Sequence, residues 1–423
     1  MMVLFKNIKE LLQIRPSNTP SYLSGKEMSI LPTLKDAYLL VKDGKIADYG
    51  PMENCPHHQI DNVLDATGRM ILPTWCDSHT HMVYAGNREG EFIDRINGMG
   101  YEEIAKRGGG ILNSAKTLQN LPVEDLYQQS KTRLEEVIQL GTGAVEIKSG
   151  YGLTVKAELK MLQVIKQLKE NYPIPIKATF LAAHAIPMAY KADKSAFIKI
   201  MTEEAMPIIA REGLANFVDV FCEKGYFSVE DMQEVLTAGK KYDLVPKVHV
   251  NQFSILGGIK SAVAHKALSV DHLEMFGDED LEYLRDSSTM PVALPSCSYF
   301  LGIPYTPARK IIDAGLPLAL ATDYNPGSAP SGNMNFVLSS ACIKMNMTPE
   351  EAINAATVNG AYAMGLEKEV GSITVGKKAN LILTSPINSY GMLPYAFGSN
   401  FIEKVYLTGK EFNGKPGNKI FHT

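Results

Sequence analysis

Ile71-Leu72-Pro73-Thr74-Trp75-Cys76-Asp77-Ser78-His79-Thr80-His81 runs from an apolar stretch into two histidines one residue apart. The apolar part, Ile71–Cys76, reads as a strand with the histidines just past its end. In extended backbone alternate side chains point the same way, so His79 and His81 can grip one ion. A His-x-His pair does not decide a fold. The decision comes from finding the same arrangement, an apolar run capped by a polar side chain, repeated along the chain.

Working outward, further strand-like runs are Ala144–Ile147, Ile176–Leu181, Phe217–Cys222, Val245–Val250, Leu268–Asp271, Pro291–Leu294 and Leu318–Thr322. Helical patterns lie between most of them. Leu159, Leu162, Ile165 and Leu168 share one face, and Ser228 followed by Asp231 marks a helix start. His184 follows the third run, His249 lies in the fifth, His272 follows the sixth and Asp323 follows the eighth. An open doubly wound sheet is the competing architecture, and what decides is where the polar residues fall. In a (β/α)8 TIM-like barrel all the C-terminal strand ends meet on one face, where barrel active sites lie. The expected fold is therefore α/β, a barrel over residues 71–365.

Both ends of the chain read as sheet. Ala37–Val41 and Ile46–Tyr49 flank the hairpin pair Asp43-Gly44, and Ser372–Val375, Asn380–Leu383 and Lys404–Leu407 are short strand-like runs. Residues 1–70 and 366–423 are thus expected to build one small β-sandwich domain together.

With nine histidines in the chain, each can be placed. His57, His58, His265 and His422 fall outside the strand-end pattern and carry no functional reading. His79, His81 and His249 with Asp323 make three imidazoles and one carboxylate, a set suited to Zn²⁺ or Fe²⁺ with a position left for water. Such a metal lowers the pKa of its water and polarises a carbonyl.

Composition narrows the alternatives. Lys+Arg (42) and Asp+Glu (46) nearly balance over 423 residues with no basic cluster, which argues against nucleic acid as a partner. No run approaches the roughly 18 apolar residues of a membrane helix, and Met1 to Pro16 does not read as a signal peptide. The five cysteines are dispersed and unpaired in sequence, as expected of buried thiols in a cytoplasmic protein. Gly108-Gly109-Gly110 has no strand before it and no Lys-Ser/Thr after it, so it is not read as a phosphate cradle.

Several segments together resemble one family. They are Asp77–His81, Gly86-Asn87-Arg88, Glu146–Gly152, Ala182–Pro187, His249–Phe253, Val270–Glu274 and Asp323–Ser328. All are similar to the imidazolonepropionases of the amidohydrolase superfamily, and the likeness runs nearly end to end. It implies hydrolysis of the cyclic amide of 4-imidazolone-5-propanoate to N-formimidoyl-L-glutamate in histidine breakdown. It implies metal ligands His79, His81, His249 and Asp323. It further implies substrate contacts by Arg88, Tyr151, His184 and Gln252, and product contacts by Asn325, Gly327 and Ser328. Arg88 suits the substrate's carboxylate because a guanidinium can hold it with two parallel hydrogen bonds.

Asp323 is read as the proton acceptor, and His272 as stabilising the oxyanion, holding the water or standing behind the ligands. Two-metal relatives use a lysine at the fourth strand's end. Here Phe221-Cys222-Glu223 precedes a Lys224 that nothing singles out, so one metal is expected. Cytosine-deaminase-like relatives carry a proton-shuttling Glu three residues past the fifth-strand histidine. Gln252 stands there, and an amide cannot take that role. Its expected part in catalysis is to orient the ring. Homodimerisation is carried over from the superfamily as analogy alone. The rivals are a deaminase of another nitrogen ring, which would give Arg88 no carboxylate, and a metal-free assembly protein, which would not keep all four ligands.

Overall fold

The computed structural model describes residues 2–56, 60, 62–99 and 109–414. His57, His58, His422 and Gly108 lie outside the described residues. Eight parallel strands follow one another around the barrel: Trp75–Asp77, Thr142–Lys148, Ile176–Ala183, Phe217–Cys222, Val245–Val250, Ser269–His272, Met290–Ala293 and Ala319–Leu320. Between them run helices such as Val155–Asn171, whose Leu162, Ile165 and Leu168 are buried, with Leu159 partly so. Ser228 and Asp231 form the expected capping box on the helix Val229–Lys240. His265 caps the end of the helix Gly258–Ala264, away from the strand ends.

The barrel closes just past its first and eighth strands. Thr80 and Tyr324 form a parallel bridge. The Asp323 N–H donates to His79 O at 3.0 Å and the His81 N–H donates to Tyr324 O at 2.9 Å. Asp77 reinforces this seam by accepting from the Thr322 N–H (3.0 Å) and hydroxyl (2.6 Å). The segments that carry the candidate ligands are therefore the ones that complete the barrel.

A second, eight-stranded sheet is built from both ends of the chain. Met2–Leu12, Thr33–Lys42, Lys45–Pro51, Asn62–Asp65 and Met70–Pro73 come from one end, and Leu381–Thr384, Ile402–Leu407 and Lys410–Glu411 from the other. Met2–Leu12 pairs with Asn62–Asp65 along its first half and with Met70–Pro73 near its end, so the sheet forks. Phe5 and Tyr406 meet edge to face at 5.0 Å although two strands separate theirs in the sheet. The two limbs thus fold over a shared core that includes Ile8, Leu39, Ile71 and Leu381. Asp43 and Gly44 take φ of 50° and 79°, the left-handed pair that lets a two-residue hairpin follow the strand twist.

Two strand expectations are corrected. Ile71–Cys76 is not one strand: Met70–Pro73 pairs in the terminal sheet, and Trp75–Asp77 opens the barrel. The change of partner falls beside Pro73, which has no N–H to continue a ladder. The Thr74 N–H still bonds Asn380 O, whereas the Trp75 N–H bonds Gly141 O. Ser372–Val375 is not a strand either. Only Ile373 pairs, with Ile14, between Gly371 (φ 88°) and Gly376 (φ 94°), which turn the chain away.

Candidate metal centre and substrate cavity

The seam brings His79, His81 and Asp323 together, and the fifth strand adds His249. His79 Nε2 and His81 Nε2 are 3.3 Å apart, and each lies 3.5 Å from Asp323 Oδ1. His249 Nε2 is 3.4 Å from His81 Nε2. Donors about 2.1 Å from a tetrahedral ion would stand about 3.4 Å from one another. The chemistry agrees with the spacing. His79 Nδ1 donates to Asp271 Oδ2 at 2.6 Å and His249 Nδ1 donates to Asp219 Oδ1 at 3.0 Å, so both Nε2 atoms turn lone pairs inward. With the carboxylate oxygen of Asp323 and Nε2 of His81 beside them, these lone pairs make a donor set that suits a divalent cation. Burial, with Lys148 and the neighbouring imidazoles, holds His79 well below the ordinary imidazole pKa, and burial with His249 does the same for His81. Neutral imidazoles of this kind fit a divalent metal.

Beneath the ligands lies a buried charge network. Lys148 Nζ donates to Glu146 Oε1 (2.6 Å) and Asp219 Oδ2 (2.8 Å) and stands 3.6 Å from Asp271 Oδ2. Lys247 pairs with the other oxygen of Glu146. Burial alone would strip the charge from Lys148, but Asp219, Glu146 and Asp271 outweigh it and raise its pKa. Burial works against the Asp219 carboxylate, yet His249 and Lys148 hold its pKa below the usual range. One lysine thus lies between the two carboxylates that orient two ligand histidines.

His272 and Asp323 both take left-handed backbone, with φ of 90° and 57°, which costs a side-chain-bearing residue roughly 1–3 kcal/mol. The Thr306 hydroxyl holds His272 O at 2.6 Å, and Asn325 Nδ2 holds Asp323 O at 2.6 Å. His272 Nδ1 lies 3.3 Å from Glu274 Oε1. Burial pulls the His272 pKa down, but Glu274 and Asp323 reverse this and raise it. His184 Nδ1 donates to Gly150 O at 2.9 Å, and burial with His249 nearby lowers its pKa to about 3. Its ring stacks on His81 at 5.4 Å, and Tyr151 meets it edge-on at 5.2 Å.

Above this floor opens a cavity of about 570 Å³. His81, His249 and Asp323 lie at its base, with Arg88, Tyr151, His184, Gln252 and His272 around it. Asn325, Gly327 and Ser328 line it too, but the Asn325 side chain is spent within its own loop. Its Nδ2 donates to Ser328 Oγ (2.8 Å) as well as to Asp323 O, and its Oδ1 accepts from the N–H groups of Gly327 and Ser328 (both 2.8 Å). A Cβ on Gly327 would stand 2.1 Å from Arg88 Nη1, so glycine lets the guanidinium lie flat on this loop. Gln252 Nε2 donates to Cys297 Sγ at 3.3 Å.

Sequence reading missed the roles of Asp219, Asp271, Glu146, Lys148 and Lys247 inside the barrel and of Glu91 and Arg95 at its mouth. A charged residue inside an otherwise apolar strand was the available signal, since an inward charge needs a partner.

Residues 70–412 match the amidohydrolase family, and the chain belongs to it. The chain is 65% identical to the imidazolonepropionase of Flavobacterium johnsoniae over 97% of its own length and 100% of that protein. It is 39% identical to the imidazolonepropionase of Alkaliphilus metalliredigens, over 96% of this chain and 97% of that one. Within the amidohydrolases, then, it belongs among the imidazolonepropionases. E. coli guanine deaminase has the same fold, with a TM-score of 0.75 at 17% identity over 98% of this chain and 99% of that chain.

Proposed function

We propose that the cavity opens the ring of 4-imidazolone-5-propanoate with one water, giving N-formimidoyl-L-glutamate. His79, His81, His249 and Asp323 would hold one divalent metal, zinc or iron, which when bound acidifies a water and polarises the ring carbonyl. Asp323 accepts the proton of the attacking water as its oxygen adds to the ring carbonyl carbon. Its Oδ2 is steadied by the Ser328 hydroxyl at 3.3 Å. His272, held by Glu274 at its Nδ1 and facing the cavity, donates a hydrogen bond to the developing oxyanion. The ring carbon–nitrogen bond then breaks, and Asp323 returns the proton to the departing nitrogen.

Neutral His184 offers its Nε2 lone pair to a ring N–H, and Gln252 orients the ring from the other side. Arg88 faces the propanoate. The observation that carries this reading is the juxtaposition, in one cavity, of His81, His249 and Asp323, with His79 against them, and the Arg88–Glu91–Arg95 cluster, which bears one net positive charge. A neutral purine or pyrimidine would offer that cluster no carboxylate. The test is incubation of the metal-loaded protein with imidazolonepropanoate, following loss of the ring and gain of formimidoylglutamate. No turnover by a protein carrying a full equivalent of metal would overturn it.

A further inference from the structure

Arg88 does not face the cavity as a free cation. Glu91 Oε2 accepts from both its Nε (2.8 Å) and its Nη2 (2.6 Å). The other Glu91 oxygen accepts the Gly110 N–H at 2.8 Å, so this carboxylate is anchored at both ends. Arg88 and Glu91 together are electrically neutral, and a neutral pair attracts a carboxylate weakly.

One helical face adds a third charge. Arg88 is the N-cap of the helix Glu89–Ile96, and Arg95 sits one turn beyond Glu91 on the same side. Arg95 lines the same cavity. Its Nη2 donates to Gly327 O at 3.3 Å, so both arginines converge on Gly327 in the loop that follows the ligand Asp323. Its guanidinium lies 4.9 Å from the Phe300 ring centre, which fixes its plane without neutralising it. Among the described residues no carboxylate lies within ion-pair distance of Arg95.

We infer that Arg95 is a second specificity-determining residue, giving the Arg88–Glu91–Arg95 cluster the net positive charge that selects an anionic substrate, while the Arg88–Glu91 pair sets the geometry. The preferred substrate class is a nitrogen ring bearing a short carboxylate arm. This rests on the reading of the cavity given above and adds to it the source of the charge.

The test compares metal-loaded parent, Arg95→Met, Glu91→Gln, the double variant and Arg88→Met. Each is assayed on imidazolonepropanoate and on its carboxamide analogue, at low and high salt. Arg95→Met should raise KM for the carboxylate substrate roughly 10- to 100-fold with kcat nearly unchanged, and should leave KM for the carboxamide in place. Its kcat/KM should also lose most of its salt dependence. Adding Glu91→Gln should recover much of the loss, because Arg88 is then no longer neutralised. Arg95→Gln, which keeps a donor for Gly327, serves if the Met variant folds poorly.

Equal losses on both substrates, or none on either, would overturn the inference. If Arg88→Met discriminates between the substrates and Arg95→Met does not, the inference fails and the functional reading stands. If neither discriminates, the functional reading itself fails.

Discussion

The floor of the cavity and its mouth are built from different materials. The floor is barrel: His79, His81 and Asp323 stand at the seam that closes the sheet, His249 lies in the fifth strand, and all four are at most 3% exposed. The mouth is added structure, with Arg88, Glu91 and Arg95 on an eight-residue helix that buries no residue fully, packed against the loop after Asp323. The floor has little freedom, since moving a ligand would open the barrel. The mouth can change without touching that seam. The E. coli guanine deaminase shares the fold at 17% identity, and a shared fold does not by itself fix the substrate.

Breaking the floor should give the largest effect. Asp323→Asn would remove a proposed ligand and the proposed proton acceptor together, and kcat should fall by several orders of magnitude. His79→Ala should release the metal while leaving a folded barrel. Metal analysis and circular dichroism, run beside the kinetics, check both. Full activity in a metal-free preparation would end the account of the floor.

Breaking the mouth should leave the metal in place. Arg88→Met is expected to cost roughly 2–5 kcal/mol in kcat/KM, with Arg88→Lys recovering only part because an ammonium lacks the fork. Metal content should match the parent. A variant that loses metal would show the two regions to be coupled through the loop after Asp323, against the separation drawn above.

A smaller effect tests how the floor is supported. Asp271→Asn removes the carboxylate that orients His79 without removing a ligand. Metal affinity should weaken about 10- to 100-fold, as for other partners behind metal ligands. At saturating metal, activity should return toward the parent's value. Affinity measured by competition with a chelator decides it, and an unchanged dissociation constant would show that Asp271 does not set the His79 tautomer.

The same division explains what could be read from sequence. Phe217–Cys222 was legible to the residue because it is a mostly apolar run buried inside the barrel, and Val245–Val250 because its valines alternate around Lys247 and His249. The candidate ligands could be singled out because His79, His81 and Asp323 follow such runs and His249 lies inside one. Asp219, Asp271 and Lys148 were visible as charges, but their partnership depends on which strands face one another across the barrel, and spacing along the chain does not contain that. The spacing of Arg88, Glu91 and Arg95 marks one helical face. What that face meets is set by the fold of the loop around Gly327. Met70–Pro73 and Trp75–Asp77 were read as one strand because hydrophobicity does not register a change of sheet.

Gln252 stands where floor and mouth meet, and it gives the smallest and sharpest test. It follows the ligand His249 by three residues yet is only 7% exposed at the cavity wall, with its amide nitrogen on Cys297 Sγ. If it orients the ring, Gln252→Ala removes one neutral hydrogen bond, worth about 1 kcal/mol, and KM should rise roughly five-fold with kcat and metal content held. Gln252→Glu should keep activity but gain a pH dependence the parent lacks. Burial lifts a carboxyl's pKa, so the new group is neutral and tolerated at low pH. As pH rises through that raised pKa it becomes an anion facing the substrate's own carboxylate, and kcat/KM should fall. His184 cannot produce that limb, since with a pKa of about 3 it is already neutral throughout the range. The measurement is kcat and KM for the parent and both variants across pH at saturating metal. If Gln252→Ala abolishes turnover while metal and substrate still bind, Gln252 takes part in the chemical step and belongs to the floor, and the proton path through Asp323 is incomplete without it.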